Sequence, residues 1–167
     1  MSEYVHRLRE IVGPDVLLQL PSVSVVIRDE ANRVLMIRHV EGGRWLLPGG
    51  SIEPAEVPAD AALRETWEET GLYVRLQSLL GVFGGPEFVV SYRGGERVSY
   101  VMAVFLAGVE GGELVSESTE VLAAKFFSLQ DAQELDLAPW AVQVLAALRG
   151  AGPEQNGFQS PTWTPPG

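Results

Sequence analysis

The sequence predicts an α+β domain in which strands and helices are mixed without the regular strand–helix–strand repeat of a doubly wound fold. Three observations carry that prediction. The chain has 167 residues and 46% hydrophobic content, enough to bury one core without disulfide or membrane help. Short β-branched runs recur along it, separated by turn residues. One helical stretch, residues 58–70, stands among them with no internal glycine or proline.

The elements follow in order. Tyr4, Leu8, Ile11 and Val12 fall at helical spacing before a Gly13-Pro14 stop, so residues 3–12 form a short leading helix and 1–20 a helix with its lead-in. The apolar runs at 23–28 and 33–40, separated by Asp29-Glu30-Ala31-Asn32, read as a hairpin. Residues 45–52 are a strand end turning into a loop. The 58–70 helix opens on Pro58 and closes on Gly71, where a left-handed cap belongs. Val57 offers no side-chain cap, at a cost of roughly 0.5–2 kcal/mol, and Asp60 in the first turn compensates in part through the helix dipole. Strands are expected at 72–83, 86–92 and 97–107, with residues 92–97 as a tight turn. An acidic loop over 108–120, a strand at 123–128 and helices near 130–136 and 138–149 complete the main domain, residues 21–150. The last 18 residues contain four glycines and four prolines, so 151–167 are expected to be a flexible tail.

Composition excludes several classes of function. Twelve Lys and Arg against 22 Asp and Glu give a net charge of −10, which repels a phosphate backbone and argues against long nucleic acid as a partner. There is no cysteine, hence no thiolate nucleophile and no zinc thiolate site, and any metal must use oxygen or histidine. The N-terminus carries charges where a signal peptide needs an apolar run. The longest apolar stretch, residues 100–109, is far short of the roughly 20 residues a spanning helix requires. A cytoplasmic protein without membrane contact is the expectation. Eleven of the twelve basic residues are Arg, a bias that genome composition explains as well as phosphate recognition does. His6 and His39 are lone histidines, and neither is read as a ligand.

Acidic residues concentrate locally: residues 41–70 hold seven of the 22, offset by Arg44 and Arg64. On the 58–70 helix, Glu65, Glu68 and Glu69 are related as i, i+3 and i+4 and so share one face. Each like-charge pair costs about 0.2–0.5 kcal/mol on an exposed helix, so a solvated structural face remains affordable.

The surrounding spacing is more specific. From Gly50 the chain reads Gly, five residues, Glu56, seven residues, Arg64-Glu65-Thr66, one residue, Glu68-Glu69, one residue, Gly71-Leu72. This resembles the Nudix box, and Leu47-Pro48-Gly49-Gly50 looks like the segment that leads into it. The resemblance spans roughly residues 20–136 and implies the Nudix α/β/α sandwich around a mixed central sheet, with 21–150 as a Nudix hydrolase domain. Thr66 departs from the family's aliphatic position, and its hydroxyl is expected to bond a backbone carbonyl one turn back.

The resemblance implies that Glu65, Glu68 and Glu69 hold Mg²⁺ or Mn²⁺, that the Gly49 carbonyl completes the coordination, and that Glu56 pairs with Arg64 to orient the helix, with Gly50 and Gly71 structural. Water then attacks a diphosphate and a nucleoside monophosphate leaves. The general base is Glu65 or a residue of a later loop, where Glu120, six residues before Phe126, resembles the family position whose glutamate swings toward the metals; Arg64 supports the chemistry. Arg38 and Trp45 are candidates for contacting phosphate and base, although a surface charge and a core aromatic explain them equally well or better. The expected substrate is a small nucleotide: a nucleoside diphosphate linked to another moiety, of ADP-ribose, nucleotide-sugar or CDP-alcohol type. The alternatives are a nucleoside triphosphate or, in a different class, silent nucleotide sensing. Pro86, fourteen residues past Leu72, is near but does not match the ADP-ribose pattern. A homodimer is compatible with the chain.

Overall fold

The computed structural model describes residues 3–92, 94–150 and 157–158. In chain order the elements are α1 (Glu3–Val12), β1 (Leu18–Arg28), β2 (Val34–His39), β3 (Trp45–Leu46), α2 (Pro58–Thr70), β4 (Leu72–Phe83), β5 (Val89–Ser91), β6 (Arg97–Gly112), β7 (Val121–Phe127), α3 (Leu129–Gln133), α4 (Pro139–Gly150) and β8 (Gly157–Phe158). Alternation along β1 and β2 explains the layering. Val23, Val25, Ile27, Leu35 and Ile37 point to one face and pack with Ala61 and Ala62 of α2. Val26, Val34 and Met36 point to the other and pack with Ala141, Val144, Leu145 and Leu148 of α4. Successive side chains of a strand face opposite ways, so strands covered on both faces read as continuous apolar runs. The result is a helix–sheet–helix sandwich, with a third small cluster where Val5 of α1 meets Leu20, Val98 and Tyr100.

The sheet is mixed. β1 runs parallel to β6 from Leu18↔Val98 to Arg28↔Gly108, β4 lies antiparallel on the far side of β6, and β2 pairs with β3 and β7. The expected β1–β2 hairpin reduces to its turn, because the two strands share only the pair Arg28↔Val34. Beyond that point the Pro48–Ile52 segment takes the edge of β1: Val25 N–H donates to the Pro48 carbonyl at 2.9 Å and Val23 N–H to the Gly50 carbonyl at 2.9 Å.

β6 continues to Gly112 because β4 stays paired with it down to Leu72↔Gly112, which corrects the expected loop to residues 113–120. A 3₁₀ turn at Pro86–Phe88 replaces the first half of the strand expected at 86–92. Of the C-terminal stretch 151–167, Gly157–Phe158 pairs in parallel with Gly81–Val82 of β4; the rest of that expectation lies outside the described residues. Among the described residues no helix is long and apolar enough to cross a membrane.

Candidate active site

Helix α2 positions the acidic residues. It starts on Pro58 with no side-chain cap at Val57, and ends where Gly71, at φ 71°, donates its N–H to the Trp67 carbonyl. Its inner face buries Ala61, Ala62, Thr66, Glu69 and Thr70. The three glutamates therefore step outward around the helix: Glu69 is 6% exposed, the Glu65 side chain 17% and that of Glu68 49%. Thr66 corrects one expectation. Its buried hydroxyl has no hydrogen-bond partner among the described residues; the side-chain bond to a carbonyl one turn back is made instead by Thr70, whose hydroxyl donates to the Thr66 carbonyl at 2.5 Å.

The Pro48–Ser51 loop is pressed between β1 and this helix. Ser24 donates its hydroxyl to the Pro48 carbonyl at 2.9 Å, and Gly49 N–H donates to Glu69 Oε2 at 2.9 Å. Both glycines are required by close approach. A Cβ on Gly49, at φ 149°, would collide with the Val23 carbonyl oxygen and lie 2.7 Å from Ser24 Cα; one on Gly50 would lie 2.5 Å from the Glu65 carboxylate.

Arg64 organises the outer rim. Its Nε and Nη2 donate to the two oxygens of Glu56 at 2.8 and 2.9 Å, a bidentate pair. Nη2 also reaches the Ser51 carbonyl at 3.1 Å, and Nη1 reaches Glu65 at 2.8 Å and Glu68 at 3.2 Å. Glu56 additionally accepts the Glu53 N–H at 2.9 Å, closing a turn in which Ala55 takes φ 66°. The Arg64 hydrogen bonds hold the Glu56 carboxyl below its usual range. Burial raises Glu65 against the pull of Arg64, with Glu68 and Glu120 adding like-charge repulsion. Burial raises Glu69 well above the usual value, opposed by the Gly49 N–H.

Gly49, Gly50, Ser51, Arg64 and the three glutamates of α2 line a cleft of about 710 Å³ that is also lined by Glu120, His39, Met102, Tyr92, Tyr100 and His6. Sequence reasoning expected Glu65, Glu68, Glu69, Gly49, Gly50, Arg64 and Glu120, and all of them line this cleft. Glu120 follows the β6–β7 loop and is tied to β2 by its carbonyl, which accepts the Val40 N–H at 2.9 Å.

Two candidates lie elsewhere. The Arg38 Nε donates to the Gly43 carbonyl at 2.7 Å on an exposed surface. Trp45 packs edge-on against Phe127, with ring centroids 5.2 Å apart, beside the α4-side core. Neither lines the cleft. The residues missed were His39, whose Nδ1 accepts the Glu41 N–H at 3.0 Å, and Tyr92, Tyr100 and His6. The alternation of Val98, Tyr100, Met102 and Val104 along the chain is the signal that could have put Tyr100 on an inward face, and all four are buried.

The carboxylates are gathered but not closed. Among the described residues no three acidic or histidine side chains converge tightly enough to surround one ion; Glu65 and Glu68 lean on Arg64, and Glu69 on the Gly49 amide. The donor set is nonetheless hard oxygen throughout, the chemistry that Mg²⁺ and Mn²⁺ select. A buried Glu69 with three carboxylates acting on it is costly unless a cation offsets it.

A family model described as the NUDIX domain matches residues 18–148. A MutT-like protein of Streptomyces ambofaciens is 34% identical over 153 residues, 92% of this chain and 91% of that protein. An ADP-ribose pyrophosphatase of Methanocaldococcus jannaschii is 34% identical over 119 residues, 69% of this chain and 66% of that protein. Among solved structures, a MutT protein from Methanosarcina mazei superposes with a TM-score of 0.66 at 24% identity, covering 80% of this chain and 96% of that one.

Proposed function

The chain belongs to the Nudix family and is a Nudix hydrolase, and from that premise we propose that it hydrolyses the diphosphate linkage of a nucleoside diphosphate joined to another moiety, with a divalent cation as cofactor. The observation that carries this reading is that Glu65, Glu68, Glu69 and Glu120 line one substrate-sized cleft together with Gly49. Those four carboxylates and the Gly49 carbonyl would hold Mg²⁺ or Mn²⁺. Bound there, the cation supplies charge neutralisation for the diphosphate and a lowered pKa for water.

The chain's own residues do the rest. Arg64, anchored on Glu56, orients Glu65 and Glu68. Glu65 or Glu120 takes the proton of the attacking water. The water oxygen bonds to phosphorus, the bridging P–O bond breaks, and a nucleoside monophosphate leaves with the second phosphate on the other product. A linked-diphosphate substrate is favoured by the ADP-ribose pyrophosphatase among the relatives.

The test is a product-resolved assay with ADP-ribose, UDP-glucose, CDP-choline and the nucleoside triphosphates in Mg²⁺, with and without EDTA. Nucleoside monophosphate from a linked diphosphate, abolished by EDTA, supports the reading. Pyrophosphate release from a triphosphate alone would replace it with the pyrophosphohydrolase alternative, and nucleotide binding without turnover with a sensing module.

A further inference from the structure

His39 takes no part in the chemistry proposed above, yet it lines the same cleft as Glu65, Glu68, Glu69 and Glu120. Two bonds within the 39–44 turn hold it at the end of β2. Its backbone N–H donates to the Arg44 carbonyl at 3.3 Å, and its Nδ1 accepts the Glu41 N–H at 3.0 Å. The second bond decides the tautomer: a ring nitrogen that accepts carries no proton, so the neutral imidazole keeps its proton on Nε2. Burial pushes the imidazole below its usual range, against the pull of Glu120 and then of Glu41, and the neutral form prevails at pH 7. His39 is thus a fixed N–H donor whose Nε2 meets no hydrogen-bond acceptor among the described residues.

Glu120 has the complementary lack. Glu65 and Glu68 each accept from Arg64, and Glu69 accepts from the Gly49 N–H, whereas the Glu120 carboxylate accepts from none of the described residues. Its backbone is nevertheless fixed beside His39. The Val40 N–H donates to the Glu120 carbonyl at 2.9 Å, and the next residue, Val121, pairs with His39 across β2 and β7. The register shifts between Arg38 and His39, and a bulge of this kind re-aims side chains at a strand end. Of the carboxylates that act on the imidazole, Glu120 acts most strongly. An exposed glutamate on a fixed backbone still turns about its side-chain bonds, so only part of its population faces the α2 carboxylates.

We infer that His39 is a positioning residue for Glu120: its Nε2–H donates to one carboxylate oxygen and fixes the side chain in the cleft, leaving the second oxygen for a cation or for the proton of the attacking water. This rests on the hydrolase reading above and adds a residue to it. An ionised carboxylate has acceptor sites on both oxygens, so the two engagements do not compete. A neutral donor also suits the place, because its hydrogen bond favours the charged carboxylate without bringing a positive charge that would repel the metal.

The experiment compares His39→Ala, His39→Gln and His39→Asn in the full chain, with the best substrate of the panel above at saturating Mg²⁺. The two amides separate the functions of the ring: Gln carries its NH₂ group about where Nε2 stands, and Asn carries an acceptor about where Nδ1 stands. His39→Ala should lower kcat about tenfold with KM within about twofold. His39→Gln should recover most of that loss and His39→Asn little of it. Because His39 acts through Glu120, the double variant His39→Ala with Glu120→Gln should be no slower than Glu120→Gln alone.

Nitrogen NMR supplies a readout independent of turnover. In Mg²⁺ without substrate, two-bond proton–nitrogen correlations should show the Nε2–H tautomer of His39, with a slowly exchanging Nε2 proton that is lost in Glu120→Ala. An active His39→Asn beside an impaired His39→Gln, losses that multiply in the double variant, or an Nδ1–H tautomer overturns the positioning role. A fully active Glu120→Gln overturns it as well, while the hydrolase reading stands with Glu65 as the base. If the wild type cleaves none of the panel, the hydrolase reading fails separately and the NMR comparison decides the pair: loss of the Nε2 proton in Glu120→Ala sustains it, and equal exchange in both proteins rejects it.

Discussion

Glu69 Oε2 accepts the Gly49 N–H at 2.9 Å, and this bond ties the last turn of α2 to the loop that β1 holds by its edge. It also leaves a carboxylate almost wholly buried beside Glu65, Glu68 and Glu120, with its pKa pushed well up. An acid whose folded pKa is raised stabilises the fold below its unfolded value, about 4.5, and loses that contribution as pH rises through the folded value.

Glu69→Gln should therefore raise the melting temperature of the metal-free protein at pH 7, by about 2–4 °C for each kcal/mol recovered, and flatten its pH dependence above pH 4.5. Thermal melts in chelator across pH 4–8 check this. A lower melting temperature for the variant at pH 7 would mean that the Gly49 bond outweighs the burial of charge.

Glu56 has the opposite sign. Its carboxyl is depressed by Arg64, so its contribution is present above about pH 4.5 and lost as pH falls through the lower folded value. Glu56→Gln should cost about 1–3 kcal/mol at pH 7, and the deficit should shrink progressively in melts taken at pH values falling below 4.5. A deficit that does not diminish at all as the pH falls would assign the loss to packing.

The adjacent glycines of the loop should fail differently when given a methyl group. Gly49→Ala meets backbone, the Val23 carbonyl and Ser24 Cα, in a conformation strained by about 1–3 kcal/mol for other residues, and should lose several degrees of melting temperature. Gly50→Ala meets the end of the flexible Glu65 side chain and should keep the fold while losing turnover. Circular dichroism melts beside steady-state assays separate the two; equal loss of stability in both variants would show that Glu65 cannot give way.

What was legible in the sequence was local. Pro58 and Gly71 bracket an unbroken helical stretch, so α2 and the common face of Glu65, Glu68 and Glu69 followed directly, and the spacing Gly50 to Leu72 carried the family resemblance. The β1–β2 pairing was not legible: Asn32, at φ 59°, makes the turn that a hairpin needs, but Pro48–Ile52 competes for the same edge of β1 from twenty residues away. Gly108–Gly112 read as loop because glycine and glutamate disfavour strands, yet β4 pairs with that segment. Tyr92 and Tyr100 are unremarkable singly and meet across the antiparallel β5–β6 pairing, while His6 comes beside them because its neighbour Val5 packs on Leu20 and Tyr100, which the parallel β1–β6 pairing joins from eighty residues apart. Two threonines four residues apart offer the same bond to a carbonyl one turn back, and only Thr70 makes it, while the Thr66 hydroxyl is buried without a partner among the described residues.

The β6–β7 loop offers the sharpest contrast between neighbouring residues. Glu117 and Glu120 are both exposed, but Glu120 lines the cleft and Glu117 does not. Glu120 acts electrostatically on Glu65, Glu69 and His39, and its backbone is fixed to β2 through the Val40 N–H, so its reach toward the α2 carboxylates does not depend on the rest of the loop. Gln at position 120 keeps the shape and removes the anion. Turnover at saturating Mg²⁺ should fall at least about tenfold, equivalent to about 1.4 kcal/mol of transition-state stabilisation, whereas Glu117→Gln should leave it within about twofold. A Mg²⁺ titration of each variant separates the two ways in which Glu120 can act: a raised metal requirement with turnover restored at high Mg²⁺ marks a ligand, and turnover that stays low at every concentration marks the proton acceptor. Full activity in both variants would remove Glu120 from the chemistry and leave Glu65, between Arg64 and Gly50, as the base.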